Sequence, residues 1–135
     1  MKRFTAVLLM GLTLMLILSA CGSSNNGSNG TTLNITMTDF KYDPSAWTVP
    51  AGKPVTVNLK NTGTVPHTWT VMSKPVSGSY TAADQANVLF DSGVIASGAS
   101  KTVTFNAPGT PGTYQVICTQ PGHIEAGMVG QLTVQ

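Results

Sequence analysis

Four side chains that can bind metals stand at spacings that suit a single ion. The stretch CTQPGHIEAGM begins with Cys118, reaches His123 five residues later and ends with Met128 after five more. The chain has only two cysteines and two histidines, and its other histidine, His67, follows the turn-forming run NTGTVP. Thiolate, imidazole and thioether groups are all ligands of soft or borderline metals. The sequence therefore predicts a metal site that contains His67, Cys118, His123 and Met128.

The mixture of donors favours copper over zinc. One thiolate and two imidazoles, with a weak thioether on the axis, form the ligand set of a blue copper electron-transfer centre. Structural zinc sites usually take more cysteines or histidines at shorter spacings, and no methionine. Pro121 and Gly122 supply a stiff corner and a free hinge, so the loop from Cys118 to His123 can curl over one ion. We predict one copper ion that cycles between Cu(I) and Cu(II).

Each of these residues also has an ordinary interpretation. A lone buried cysteine usually acts as a small hydrophobe, and methionine usually fills gaps in a core. A disulfide between Cys21 and Cys118 is a further alternative for an exported protein. The copper interpretation is the stronger one because the other histidine, His67, lies in an upstream loop where it can complete the site.

Short strands must position these residues. Period-two alternation of apolar and polar side chains indicates strands at residues 33–38, 47–49, 54–60, 67–72, 100–106, 113–118 and 130–134. Turn-forming runs such as PAGK, SGAS and APGTPG separate them. Residues 73–98 are less regular, with a helical turn expected near 82–86 and a strand near 88–90. The pattern predicts an all-β fold, either a two-sheet β-sandwich or an open barrel.

Length and charge restrict the function further. A chain of 135 residues allows one domain of ordinary size. The net charge of +2 depends on Lys2 and Arg3, and the remaining residues carry five lysines against five acidic groups. No basic stripe for nucleic acid remains, and no acidic run that would steer a cationic partner is visible. We therefore expect no nucleic-acid ligand.

The first 20 residues predict an export signal. Lys2 and Arg3 precede an apolar run at residues 6–18, which is short for a membrane span. The run leads into LSAC, whose last residue is Cys21, and these four residues resemble the lipobox of bacterial lipoproteins. That resemblance implies cleavage before Cys21, a diacylglycerol on its sulfur and often an acyl chain on its new N-terminus. A plain secretory signal with an incidental cysteine is the alternative.

The expected mature chain has two parts. Residues 21–32 hold the lipidated cysteine and the run GSSNNGSNGTT, which has no apolar residue to bury and predicts a flexible tether. Residues 33–135 are expected to form the folded domain. More than one acyl chain makes attachment to a membrane stable. We expect an extracytoplasmic monomer, anchored to the cell membrane by Cys21.

The runs NTGTVPH and CTQPGHIEAGM, on a strand-rich domain, resemble the cupredoxin family of type 1 copper proteins. The resemblance covers residues 33–135 and implies a Greek-key β-sandwich in which His67, Cys118, His123 and Met128 bind one blue copper. It also implies redox partner proteins. The electron donor would be a membrane quinol-oxidising complex or a cytochrome c, and the acceptor a photosynthetic reaction centre or a terminal oxidase.

Two residues depart from the family pattern. Thr68 stands where many relatives carry an asparagine that ties the two ligand loops together, so we expect a weaker tie here. Ile117 stands where plastocyanins have a tyrosine that serves as a remote electron port, so that port is not expected.

Three functions are compatible with a copper site of this kind. A constrained metal with no open coordination position can change redox state but has nowhere to bind a substrate, which favours a one-electron carrier. An extracytoplasmic protein that stores or delivers copper is the alternative. An enzyme such as a nitrite reductase or a multicopper oxidase is excluded by chain length and histidine count, because it needs additional copper sites. A binuclear oxidase-type centre is excluded because it needs two cysteines in the loop.

Overall fold

The computed structural model describes residues 30–135, which form two β-sheets and one short 3-10 helix, Ala82–Asn87. The predicted export signal and most of the predicted tether, Cys21 included, lie outside the described residues. Within the described range no helix has the length and apolar character needed to cross a membrane. The strands are β1 Thr31–Thr38, β2 Lys41–Asp43, β3 Ala46–Val49, β4 Pro54–Asn61, β5 Thr70–Met72, β6 Val88–Asp91, β7 Ser100–Asn106, β8 Gly112–Ile117 and β9 Val129–Val134.

The strand order identifies the topology. One sheet has the order β2-β1-β4-β7, and the other has the order β3-β9-β8-β5-β6. The pairs β1–β4 and β3–β9 are parallel, and the remaining pairs are antiparallel. Many neighbours in space are therefore not neighbours in sequence, and the chain crosses repeatedly between the sheets. The predicted all-β, Greek-key β-sandwich is confirmed.

Alternation along the strands fills the space between the two sheets. In β1 the side chains of Leu33, Ile35 and Met37 are buried, and the residues between them are more exposed. Trp69 is fully buried, and its ring lies edge-on to Trp47 at a centroid distance of 5.7 Å. Burying one large apolar side chain contributes about 1.5–3 kcal/mol. This core makes a rigid platform for the loops at its ends.

The strand register brings three loops to one pole. In the β5–β8 pair Thr70 lies opposite Ile117, and in the β8–β9 pair Ile117 lies opposite Val129. The residues just before β5, just after β8 and just before β9 must therefore meet at the same end of the sandwich. Those positions are occupied by the upstream histidine loop, by Cys118 and by Met128.

Some element boundaries differ from the predictions. The predicted strand at 67–72 is wrong at its start, since β5 begins at Thr70 and His67 forms only an isolated bridge with Ile95. Strand β2 was not predicted. The helical turn near residues 82–86 and the strand that follows it are confirmed, and the Asp84 carboxylate accepts hydrogen bonds from the backbone N–H and hydroxyl of Thr81 at 2.8 and 2.7 Å.

Candidate metal centre

Three of the predicted ligands meet in a buried cluster at this pole. The donor atoms of His67, Cys118 and His123 all lie within 4.8 Å of one another. His123 Nδ1 lies 3.2 Å from Cys118 Sγ and 3.2 Å from His67 Nδ1, and the third side, from Cys118 Sγ to His67 Nδ1, measures 3.9 Å. His67 and Cys118 are 0% exposed, whereas His123 is 7% exposed. The structure thus brings together residues separated by up to 56 positions.

Met128 closes the same pole from the start of β9. Its side chain is 0% exposed. Its backbone N–H donates to the carbonyl of His123 at 2.8 Å, and its carbonyl accepts from the N–H of Cys118 at 3.3 Å. Two backbone hydrogen bonds therefore join Met128 directly to Cys118 and to His123. They place Met128 at the same pole as the other candidate ligands.

The loop between Cys118 and Met128 is a series of tight turns. Gly122 has φ of +81°, a conformation that L side chains rarely adopt. The His123 N–H donates to the Gln120 carbonyl at 3.2 Å, and the Ala126 N–H donates to the Gly122 carbonyl at 3.1 Å. The hinge predicted at Gly122 is confirmed, and it allows the chain to turn His123 back toward the cysteine.

Thr68 keeps the two ligand loops connected. Its hydroxyl oxygen accepts a hydrogen bond from the Thr119 N–H at 2.8 Å, and its backbone N–H donates to Cys118 Sγ at 3.3 Å. The hydroxyl thus ties the two ligand loops directly, at the position where a weaker tie than that of an asparagine was expected.

Three further residues brace the upstream loop and were not recognised from the sequence. Asn61 Nδ2 donates to the carbonyls of Val65 and Ile95 at 2.9 and 3.0 Å. The Tyr42 hydroxyl donates to the Thr68 carbonyl at 2.6 Å, and burial raises the pKa of Tyr42 well above its ordinary value, so that it stays a donor. The third is Asp39, whose carboxylate faces His67. Only Asn61 had a signal in the sequence, since it begins the turn-forming run NTGT.

The electrostatics favour neutral imidazoles. Burial lowers the pKa of His67, the neighbouring His123 lowers it further, and Asp39 opposes both effects. Burial also lowers the pKa of His123, against the opposing charges of Asp39 and Glu125. Only a neutral imidazole has a free lone pair for a metal. Both rings are thus disposed to bind a metal ion at neutral pH.

The donor set fits one transition-metal ion. Nitrogen and thiolate ligands lie about 2.0–2.3 Å from a metal such as zinc, and a triangle with sides of 3.2, 3.2 and 3.9 Å has room for one such ion among its donors. Both histidines present Nδ1 to this space, so when each ring carries its hydrogen on Nε2 both nitrogen lone pairs and the sulfur converge on it. A single thiolate with two imidazoles favours copper.

Comparison with known proteins agrees with this geometry. Residues 30–135 match the family described as copper binding proteins, plastocyanin/azurin family. This chain belongs to that family. Auracyanin-A of Chloroflexus aurantiacus is 31% identical over 155 aligned positions, which cover 95% of this chain and 94% of that protein. The protein is thus a cupredoxin, and its cofactor is copper.

Solved structures of cupredoxins extend the comparison. The dithionite-reduced auracyanin of the photosynthetic bacterium Roseiflexus castenholzii superposes with a TM-score of 0.67 at 32% identity, and the match covers 78% of this chain and 97% of that one. A multicopper oxidase matches with a TM-score of 0.59 at 21% identity and covers 78% of this chain but 39% of its own. The second likeness shows the fold alone.

Proposed function

We propose that this protein is a blue copper electron carrier and not an enzyme, with His67, Cys118, His123 and Met128 as the ligands of its single copper. The main support is burial. Three of the four side chains are fully buried, and the fourth is only 7% exposed. A substrate would need an open position next to the metal, whereas an electron needs only a short path to the surface.

The chain's own residues hold the site in one geometry. A bound copper ion would supply the one-electron couple. The Thr68 ties and the backbone bonds between Cys118, His123 and Met128 keep the donors in place without a metal. A site that does not rearrange when its charge changes has a small reorganisation cost, which favours rapid electron transfer.

His123 is the proposed route for the electron. Its Nδ1 faces the other donors, and it is the one candidate ligand with measurable exposure. Phe40 lies edge-on to the imidazole at a centroid distance of 5.0 Å and is itself 43% exposed. Pro121, Gly122 and Ala126 on the same loop are exposed. Apart from the exposed Glu125, this surface is weakly polar and suits brief contacts with a redox partner.

The partners and the location are proposals of the same kind. We place the protein outside the cytoplasm, held by a lipidated Cys21, as a carrier between membrane complexes. The donor would be a quinol-oxidising complex or a cytochrome c, and the acceptor a reaction centre or a terminal oxidase. The strand directions support this arrangement. Residue Thr31 lies at the end of β1 opposite to Asp39 and the metal pole, so a tether before it leaves the metal pole facing away from the anchor.

The absorption spectrum and voltammetry of the purified, copper-loaded protein test the function. We expect an intense visible band from the copper to thiolate bond and a reversible one-electron wave. Cys118→Ser should abolish the band, because a hydroxyl does not provide the same charge-transfer donor. A colourless protein whose Cu(I) exchanges readily with a chelator would instead support copper storage or delivery.

A further inference from the structure

The turn between β1 and β2 brings one carboxylate to the back of the buried histidine. Asp39 Oδ1 lies 3.5 Å from His67 Nε2. His67 is 0% exposed, and among the described residues its Nε2 has no hydrogen-bond partner within normal geometry. The Asp39 side chain is 34% exposed. The carboxylate is therefore the nearest charged acceptor to a ring nitrogen that has no contact with water.

Metal binding at the opposite ring nitrogen gives this contact a role. His67 Nδ1 points to Cys118 and His123, at 3.9 and 3.2 Å. When the Nδ1 lone pair is used for a metal, the hydrogen of a neutral imidazole must be on Nε2. A buried N–H needs an acceptor, and a metal-bound histidine commonly donates its second N–H to a carboxylate or a carbonyl. We propose that Asp39 is that acceptor and acts as a positioning residue for His67.

The carboxylate is held in place by the same loop that carries the histidine. Asp39 Oδ1 accepts a hydrogen bond from the Thr64 N–H at 2.7 Å, and Oδ2 accepts one from the Thr64 hydroxyl at 2.7 Å. The Val65 N–H makes a longer contact to Oδ1 at 3.4 Å. These bonds lower the pKa of Asp39. The group is thus a fixed acceptor whose distance to the imidazole depends on the loop and not on a free rotamer.

Gly63 leaves the space for this approach. A β-carbon at position 63 would lie 2.9 Å from the Asp39 backbone nitrogen and 3.0 Å from His67 Nε2. Real side chains essentially never come so close to backbone, so a residue larger than glycine would push the turn and the ring apart. The glycine of the run NTGT therefore serves the contact between Asp39 and His67 as well as the turn.

The carboxylate has an expected effect on the metal. A hydrogen bond from Nε2–H to a carboxylate makes the imidazole a stronger donor, and the negative charge favours the more positive metal ion. Both effects stabilise Cu(II) more than Cu(I). Asp39 should therefore lower the reduction potential and orient the ring. This inference rests on the proposed role of His67 as a copper ligand. It does not depend on the identity of the redox partners.

The test compares Asp39→Asn with Asp84→Asn. Asp84 is a matched control because it also accepts from the N–H and hydroxyl of one threonine, Thr81, but faces no histidine. With Cu(II) and Cu(I) as probes in chelator competition, Asp39→Asn should lower Cu(II) affinity by about 10- to 100-fold. Cu(I) affinity should fall less, and voltammetry should show a higher potential. Asp84→Asn should match the unmodified protein.

Two further measurements separate the role of Asp39 from folding and from ligand assignment. In the unmodified protein loaded with diamagnetic Cu(I), NMR should show a slowly exchanging Nε2–H of His67, shifted downfield. A rapidly exchanging or absent proton, or equal affinities and potentials in both Asp→Asn variants, would overturn the inference. His67→Ala tests the ligand itself: a native spectrum in that variant would refute the ligand assignment, and with it the role of Asp39.

Discussion

The candidate ligands divide into three buried groups and one that reaches the surface. Cys118 and His67 are enclosed, and Cys118 Sγ also receives an N–H from Thr68 at 3.3 Å. Hydrogen bonds and apolar surroundings at the sulfur are among the features that set the potential of a blue copper site. Met128, equally buried, is the proposed fourth ligand and the remaining adjustable donor. The potential should therefore respond to Met128 more than the ability to bind copper does.

Substitution of Met128 tests that division. Met128→Gln offers a harder oxygen donor that favours Cu(II), so the reduction potential should fall. Met128→Leu removes the donor, so the potential should rise. Both variants should keep an intense visible band, because the thiolate and the two imidazoles remain. Voltammetry of the two variants beside the unmodified protein is the measurement, and identical potentials in all three would place another group on the axis.

The sequence predicted the candidate ligands better than the residues that support them. Cysteine and histidine are so scarce in this chain that spacing and inventory alone select Cys118, His123 and His67. Asp39 and Tyr42 had no such signal. Each contacts a loop 25 or 26 positions away, and an aspartate or a tyrosine beside a turn is ordinary in any β protein. Their roles depend on a strand register that periodicity does not specify.

The strands show the same limit at the next scale. Alternation identified β1, β4, β7, β8 and β9 nearly to the residue. The alternation pattern mispredicted the start of β5, because residues 67–69 continue the strand-like alternation whereas β5 begins only at Thr70. The pattern also missed β2, a strand of three residues that directly follows Phe40, and Phe40 itself has a left-handed conformation. Both failures lie beside the metal pole, where Phe40 has a left-handed φ and His67 pairs only through an isolated bridge.

The left-handed backbone of Phe40 leads to a prediction about stability. It has φ of +63°, which costs a non-glycine residue roughly 1–2 kcal/mol. Phe40→Gly should therefore be more stable than Phe40→Ala by about 1 kcal/mol, although both lose the contact with His123. Urea unfolding of the metal-free variants measures the difference.

A matched pair at Leu89 provides the control. Leu89 is also exposed, at 48%, but it lies in strand β6 without a positive φ. There glycine should be less stable than alanine by roughly 0.5–1 kcal/mol. The same order of stability at both positions would show that the Phe40 conformation is not strained.

At the scale of the molecule, the metal site and the start of β1 lie at opposite poles of the sandwich. Asp39, at the end of β1, contacts His67, whereas Thr31, at the start of β1, pairs with Val55 at the far end of β4. Thr31 and the metal site are thus separated by the length of an eight-residue strand, about 25 Å. The proposed anchor at Cys21 would therefore join the domain at the pole away from the metal and leave the metal pole free to meet a partner.

Cys21→Ala tests the anchor without touching the copper. The variant should leave the membrane fraction while its visible spectrum and potential stay unchanged, because Cys21 is not one of the proposed copper ligands. Cell fractionation followed by spectroscopy of both fractions is the measurement. A variant that remains in the membrane fraction would contradict the lipobox prediction.

The last prediction concerns how a partner finds the metal pole. Beyond Lys2 and Arg3 the chain carries five lysines and five acidic residues. With no excess of either sign, long-range steering should be weak. Electron transfer with the native partner should therefore change by no more than about twofold between low and high salt, unlike electrostatically guided pairs.

The docking site itself is tested by placing a charge on each pole. Ala126 is exposed on the ligand loop, so Ala126→Glu should slow the reaction by roughly tenfold, because the contact must then bury an unpaired carboxylate. Thr110 is exposed just before β8, at the end of that strand opposite to Cys118. Thr110→Glu adds the same charge there and should leave the rate unchanged. Stopped-flow traces for both variants across the salt series make the test. Equal rates in the two variants would place docking away from His123, and a steep salt dependence in the unmodified protein would contradict weak steering.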